Sequence, residues 1–396
     1  MTVAAPIADV RGAARRLAAT STAERDAALE QIARGLERRC DAILAGNAID
    51  AEAAAGERPA IRDRLALDPE RVAALAEAVR AVARLDDPVG QTIREFSPPS
   101  GIHIRKLRVP LGVVLVVYEA RPNVTVDAAA LCLKSANACI LRGSRMAAHT
   151  NRVLVSVVRE ALVAAGLPAD AVTAVEGGHG ELAELIADPG TADVVIPRGG
   201  EELKKLLLRE SRIPVLAAAG GNCHVYVDAS ADAEQAVAIV LNAKLQRPGV
   251  CNAAETLLVH RDRPELLERI SAELEAAGVE LAEGEEAFAT EFLDLKMAVA
   301  AVDSLDAAIA HINRYGTGHS EAIVTQDDEA AARFCNEIDA AAVYVNASTR
   351  FTDGGEYGMG AEIGNSTSRL HARGPVGLEE LTTTKYVVHG TGHIRA

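Results

Sequence analysis

The sequence contains no tryptophan, five phenylalanines and six tyrosines. Its basic residues are almost all arginine, 34 against seven lysines, and alanine is abundant. That bias reflects a high-GC genome and carries no functional signal. No apolar run approaches the ~18 residues that a membrane-spanning helix needs, so no membrane role is read. The N-terminus, MTVAAPIADVRGAARR, lacks a basic segment followed by an apolar core, so no secretory signal is read there and a cytoplasmic protein is expected. The six cysteines (Cys40, Cys132, Cys139, Cys223, Cys251, Cys335) are scattered without a CxxC pair, which argues against a zinc site or a disulfide framework, and no metal is expected. Positive charge is in deficit: 41 Lys and Arg face 56 Asp and Glu, a net charge of −15. That balance argues against a general binder of nucleic acid or of anionic membranes.

What is present is enough for two or three domains: 396 residues, 49% of them hydrophobic. Residues 21–55 read as a helix, opened by a Ser21–Glu24 capping box and striped by Leu29, Ile32, Leu36, Ile43 and Leu44. Asp68 and Pro69 open a second helix with Val72, Leu75, Val79 and Val82 on one face. The pattern then alternates. Strands at 113–117, 138–141, 172–175, 193–196 and 213–216 are separated by helices at 125–137, 146–165, 180–187 and 200–210, which implies a parallel sheet. A second alternating series follows: strands 224–227, 256–259, 297–302, 321–324 and 342–345, with helices 232–243, 264–277, 304–314 and 327–337 between them. The expected fold class is α/β with two parallel-sheet domains. The expected division is 1–223, 224–345 and an irregular polar tail, 346–396, too long for a plain connection. Segments 101–109 and 385–388 alternate like strands with two wet faces; within the span 98–110 and at the C-terminus they suit either a small flap that pairs with itself and with a second subunit or a simple surface hairpin.

Cys251 is the leading chemical candidate. It lies in NAKLQRPGVCN (242–252), a stretch without helical or strand period, after Arg247, Pro248 and Gly249. A thiol in a polar loop beside a cation is placed to act as a thiolate. Three strand-to-helix turns could receive phosphate: Gly177–Gly178–His179–Gly180, Arg198–Gly199–Gly200, and Arg142–Gly143–Ser144–Arg145. None is GxGxxG, and ordinary turn formation is the alternative. Two arginines and no acid in the third turn suit the 2′-phosphate of NADP. Asn123, beyond Pro122 at a strand exit, could donate to an oxyanion or simply cap the helix. The tail holds Asn346, Ser348, Thr349, Arg350, Asp353, Glu362, Asn365, His371 and Arg373, residue types that suit a small zwitterionic or phosphorylated substrate. Ser348 and Arg350, with Arg247 beside the cysteine, are the candidates for substrate contact. Cys223 and His224 are adjacent, yet in a strand their side chains point to opposite faces, so they are not read as a catalytic pair.

Carried by these stretches, the chain resembles the gamma-glutamyl phosphate reductases of the aldehyde dehydrogenase superfamily over essentially its whole length. The most specific segments are VYEARPNVTVDAAALCLKSANACILRGS (117–144), IPRGGEEL (196–203), NAKLQRPGVCNAAETLLV (242–259), HINRYGTGHSEAIVT (311–325) and VYVNASTRFTDGGEYGMGAEIG (343–364). The resemblance implies an aldehyde dehydrogenase-like fold, with 1–223 as the NADP-binding domain, 224–345 as the catalytic domain, 346–396 as an active-site loop, a return to the cofactor domain and a C-terminal flap strand, and an oligomerisation flap. It implies NADPH-dependent reduction of L-glutamyl 5-phosphate to L-glutamate 5-semialdehyde in proline biosynthesis, a homo-oligomer, and coupling to glutamate 5-kinase. Cys251 matches the nucleophile and Asn123 the oxyanion amide. Arg142, Gly143 and Ser144 match the cofactor ribose turn, Arg198, Gly199 and Gly200 the dinucleotide turn, and Glu291 a ligand of the nicotinamide ribose. Relatives that hydrolyse their acyl-enzyme carry a Glu two residues before a Gly-Gly pair; here Ala218 stands there, which favours phosphate release over hydrolysis. Ala136 departs from the family, where Gly is usual, and Asn365 departs in IGNSTS. The competing expectations are a reductase of another acyl phosphate and a hydrolytic aldehyde dehydrogenase.

Overall fold

A computed structural model of the chain describes residues 9–217 and 220–395. Ala218 and the first eight residues, on which the hydrolysis and signal-peptide expectations bear, lie outside the described residues. The chain packs as two units: Met1–Leu216 with Met359–Gly364 and Val376–Ala396, and Ala217–Gly358 with Asn365–Pro375. The expected boundary, 223/224, lies a few residues after this division, and parts of the tail, Met359–Gly364 and Val376–Ala396, pack with the first unit.

In the first unit a four-stranded parallel sheet runs in the order Val172–Ala174, Ala138–Gly143, Val113–Tyr118, Val194–Arg198. Val113–Tyr118 is buried at every position because it lies inside the sheet with helices covering it, hence its unbroken apolar run. The helix expected over 21–55 is two helices, Thr22–Arg38 and Cys40–Ala53. The chain leaves helical geometry at Arg39, and both pieces can then pack on Ala148–Ala164. The Ser21–Glu24 capping box is present, with the Ser21 N–H donating to Glu24 at 2.7 Å. The strand expected at 213–216 shrinks to one bridge, Val195 to Val215. Pro214 has no N–H to extend the ladder.

A separate antiparallel sheet joins Thr92–Phe96, His103–Pro110 and Thr382–His389 in that order. The two wet segments do pair with each other, and the third strand was not expected. Asn137 ties this flap to the unit's core: its Oδ1 accepts from the Gly112 N–H and its Nδ2 donates to the Leu381 carbonyl, each at 2.8 Å.

The second unit is a six-stranded parallel sheet: Ala342–Val345, Ser320–Val324, Cys223–Val227, Ala254–His260, Lys296–Val302, Glu280–Ala282. One apolar cluster collects Val225, Leu257, Ile270 and Met297; another collects Tyr226, Leu258, Ile312 and Phe334. Alternate residues of the same strands feed opposite faces, which places the core on both sides of the sheet. Among the described residues no helix is long and apolar enough to cross a membrane, and no group of His, Cys, Asp and Glu could hold a metal ion.

His311 in this unit packs its ring against Phe288 and Tyr315, with centroids 4.7 Å away in each case. Burial, then the nearby His224 and Arg314, push it down to about 4. The folded chain therefore keeps His311 neutral where the unfolded chain takes up a proton below about 6.5. The stabilisation is complete above that value and is lost as pH falls toward 4, by up to about 3 kcal/mol for this half-buried ring. Urea midpoints at neutral pH and near pH 4.5 should converge in His311→Leu relative to the parent. An unchanged pH slope in the variant would disprove the assignment.

Candidate active site

Cys251 lies half-buried in the loop between helix Ala233–Leu245 and strand Ala254–His260. Both neighbouring segments are pinned. Asn252 Nδ2 donates to the Thr352 carbonyl at 2.9 Å, and Thr349 Oγ1 donates to the Asn252 carbonyl at 2.7 Å. The Cys223 thiol, wholly buried, donates to the Cys251 carbonyl at 3.2 Å. Gly221 passes so close that an added Cβ would lie 1.6 Å from the Cys251 carbonyl oxygen. Gly221 also donates its N–H to Glu291 Oε1 at 2.5 Å. Cys251 and Glu291 are thus joined through one glycine.

Arg350 stands in the field of Cys251 and Arg247. Burial first, then Arg247, lower its proton affinity, while Cys251 and Asp353 oppose this. Its Nε donates to Gln246 Oε1 at 2.7 Å, which holds the guanidinium over the cysteine loop. Ser348 is buried and accepts the Arg350 N–H with its hydroxyl at 3.3 Å, capping the short turn Thr349–Phe351. The structure therefore gathers Cys251, Arg247, Arg350, Ser348 and Glu291 in one unit. Ser348 shapes the loop there, and Arg350 acts on Cys251 through its charge.

Beneath the loop, Lys244 and Glu255 form a fully buried pair at 2.8 Å. Burial pushes the Glu255 carboxyl up to about 7 despite the ammonium beside it. Glu255 also accepts the Leu293 N–H at 3.3 Å, tying the strand that follows the Cys251 loop to the segment that carries Glu291. Sequence patterning did not flag this pair, because Lys244 sits in a helix and Glu255 in a strand with ordinary spacing.

In the first unit Asn123 is the second residue of helix Pro122–Lys134, and Arg121 occupies the N-cap position. Asn123 is therefore not the cap. Its Nδ2 donates to Asp127 Oδ2 at 3.0 Å. Burial pushes Asp127 up to about 6, while Asn123 and Arg198 pull the other way. Asp127 was missed, although a lone acid in the helix PNVTVDAAALCLK is a signal the sequence contains.

The turns differ from one another. A cleft of about 300 Å³ is lined by Gly143, Ser144, Arg145, Arg152, Glu176 and Gly177, among others. Arg142 does not line it; its Nη2 donates to the Gly177 and Gly178 carbonyls at 3.2 and 3.0 Å and clamps two strand-end turns together. Arg145 is the arginine of that turn that faces the cleft. At Arg198–Gly199–Gly200 the Gly200 N–H, which opens helix Glu201–Glu210, is held by Glu119 Oε2 at 2.7 Å. Glu181 holds the Gly178 N–H in the same way at 2.7 Å. Both helix ends receive carboxylates, in keeping with their capacity for anions.

Comparison with known proteins agrees with this geometry. The aldehyde dehydrogenase family matches residues 1–289 and 296–387. A gamma-glutamyl phosphate reductase of Thermobifida fusca (strain YX) is 52% identical over 403 aligned residues, covering 97% of this chain and 96% of that one. The chain belongs to the gamma-glutamyl phosphate reductase family, within the aldehyde dehydrogenase superfamily. A reductase of this family from Kineococcus radiotolerans is 51% identical over 97% of the chain. The crystal structure of the Thermotoga maritima gamma-glutamyl phosphate reductase superposes with a TM-score of 0.97 at 44% identity, covering 99% of each chain. An acetylating aldehyde dehydrogenase of Geobacillus thermoglucosidasius, 17% identical with a TM-score of 0.70, shares the fold. The expected aldehyde dehydrogenase-like architecture of two parallel-sheet units and a small β flap is thus the observed one.

Proposed function

We propose that this chain reduces L-glutamyl 5-phosphate to L-glutamate 5-semialdehyde with NADPH, releasing phosphate, as a step of proline biosynthesis. The observation that carries the reading is the Cys251 loop, a half-buried thiol whose backbone packs on Gly221 and which lies in the field of Arg350, in a chain half-identical to reductases of that name. The Cys251 thiolate attacks the acyl carbon. The carbonyl electrons move onto oxygen, and on collapse the C–O bond to phosphate breaks, leaving a thioester on Cys251. Arg350 and Arg247 favour the thiolate and attract the anionic leaving group. Asn123 donates a side-chain N–H to the oxyanion. NADPH, when bound, supplies the hydride that reduces the thioacyl carbon. Collapse of the reduced adduct frees the aldehyde and returns the thiolate. Ala218 offers no carboxylate to activate water against the thioester.

The residues present fit that cofactor. Ser144, Arg145 and Arg152 line a cleft of the first unit, and Arg145 is a cation of the right chemistry for a 2′-phosphate. Arg142 ties the neighbouring turn of Gly177 and Gly178 to this strand end, Gly143 and Ser144 line the cleft, and Arg198, Gly199 and Gly200 present a helix end already able to hold a carboxylate. Glu291 is the proposed ligand of the nicotinamide ribose. A cytoplasmic homo-oligomer formed through the flap belongs to the same reading. The readily cyclising acyl phosphate favours direct receipt from glutamate 5-kinase.

The test is the reverse reaction. Purified protein, glutamate 5-semialdehyde and NADP should form NADPH only when inorganic phosphate is supplied. Turnover without phosphate would indicate a hydrolytic dehydrogenase. A marked preference for the N-acetylated semialdehyde would move the substrate to another acyl phosphate.

A further inference from the structure

Glu291 lies in an irregular stretch between helix Glu285–Phe288 and strand Lys296–Val302, where no ladder or helical turn fixes it. Its carboxylate is held by Gly221, whose N–H donates to Oε1 at 2.5 Å and whose Cα presses on the Cys251 carbonyl. Two residues on, Leu293 takes φ +54, a left-handed conformation that a bulky side chain rarely adopts and that a contact must maintain. That contact comes from beneath the nucleophile. The Leu293 N–H donates to Glu255 Oε1 at 3.3 Å, and the other oxygen of the same carboxylate takes the Lys244 ammonium at 2.8 Å. The Lys244 and Glu255 side chains are both wholly buried, so water does not compete for either.

A buried ion pair is a weak source of stability, since apolar residues of similar volume often serve as well. The use of this pair lies in what it joins. Glu255 is the second residue of strand Ala254–His260, four positions after Cys251. From Cys251 the chain runs to Glu255 and crosses by a hydrogen bond to Leu293. It runs back to Glu291 and crosses by a second hydrogen bond to Gly221, which lies on the Cys251 carbonyl. The ring closes within one unit, so it sets where Glu291 stands relative to the nucleophile. We infer that Lys244 and Glu255 are positioning residues for the cofactor: Glu255 holds the Leu293 turn that aims Glu291 at the nicotinamide ribose, and Lys244 holds Glu255. This rests on the proposed function and its role for Glu291. Being wholly buried, the pair acts only through Leu293 and Glu291 and meets neither substrate nor cofactor.

The experiment replaces the pair in two ways. Lys244→Met with Glu255→Gln removes both charges but keeps an oxygen to accept the Leu293 N–H. Lys244→Met with Glu255→Met removes the oxygen too, at similar volume. NADPH affinity is read by cofactor fluorescence, apart from turnover. The first double variant should bind NADPH within about threefold of the parent, and the second about tenfold or more weakly. In the second, KM for NADP should rise in step while KM for phosphate stays put. Leu293→Pro reaches the same contact from the exposed side, because proline has no N–H for Glu255 and cannot take φ +54. It should weaken NADPH to a similar degree with the buried pair intact. Glu291→Ala is the reference. It should weaken NADPH at least as much, and the second double variant added to it should cost little more, because both act through one carboxylate. Parental NADPH affinity in the second double variant or in Leu293→Pro would overturn the inference. So would equal losses in the two double variants, or losses that add fully to that of Glu291→Ala. Parental affinity in Glu291→Ala, or a parent protein that binds no NADPH, would overturn the cofactor reading and the inference with it.

Discussion

Cys251→Ala is expected to abolish phosphate-dependent NADPH formation, by about four orders of magnitude or more in kcat/KM. The methyl group cannot carry the acyl chain, so neither thioester formation nor its reduction can begin. The fold should survive, because Cys251 is half-buried and its backbone contacts do not involve the sulfur. Asn252 bonds to the Thr352 carbonyl and Cys223 donates to the Cys251 carbonyl whatever side chain follows. NADPH binding, read by the change in cofactor fluorescence, should be retained, since the proposed cofactor cleft lies in the other unit. Cys251→Ser should be nearly as inactive, because a hydroxyl beside Arg350 is far harder to ionise than a thiol. More than a few per cent of parent activity in Cys251→Ala, in protein free of the parent enzyme, would rule out the covalent route.

Gly221→Ala should be almost as damaging without touching any reacting atom. The new Cβ would stand 1.6 Å from the Cys251 carbonyl oxygen, 2.4 Å from its carbon and 2.6 Å from its Cα. All three are backbone atoms, so no side-chain rotation relieves the clash, and one of the two segments must shift by more than 1 Å. A displacement of that size at a nucleophile can cost ~100-fold in rate. Overpacking at such a contact costs about 1–3 kcal/mol of stability. The Gly221 N–H also holds Glu291, so KM for NADP should rise together with the fall in kcat. A Gly221→Ala protein with parental kinetics would show that the Cys251 loop is looser than its contacts imply.

Much of the fold was legible because its signals are local. Alternating apolar runs and helical stripes announced both parallel sheets, and the Ser21–Glu24 box announced the helix it opens. Where a long-range constraint intervened, the local pattern misled. The apolar stripe over 21–55 continues across Arg39, but the helix ends there and two pieces pack separately on Ala148–Ala164. Residues 213–216 look like a strand, but Pro214 limits them to one bridge. Ala136, a departure from the family's usual glycine, adopts φ +60, which explains why glycine suits that position.

The candidate site was legible to the extent that it is built from unusual local composition. Cys251 stood out as a thiol in an aperiodic polar loop, and Arg350 as a cation in an irregular tail. Asp127 was legible in principle, one acid in a buried helix, yet its meaning depends on the amide one turn away and on Arg198, 71 positions later in the chain. The arginine turn at 142–145 suggested the cofactor, while only the folded chain separates Arg142, bound to the Gly177 and Gly178 carbonyls, from Arg145, which lines the cleft.

By itself the sequence determined the alternation of strands and helices, the family, the nucleophile candidate and the net negative charge of the chain, because each is written in composition or in short-range spacing. Tertiary structure alone decided that Gly221 presses on Cys251, that Glu119 holds the Gly200 N–H, and that Lys244 and Glu255 are buried together. The Glu119–Gly200 contact joins residues 81 positions apart, and Glu291 meets Gly221 across 70. No periodicity reports such pairs: a glycine or a glutamate acquires its role from the segment that the fold sets against it.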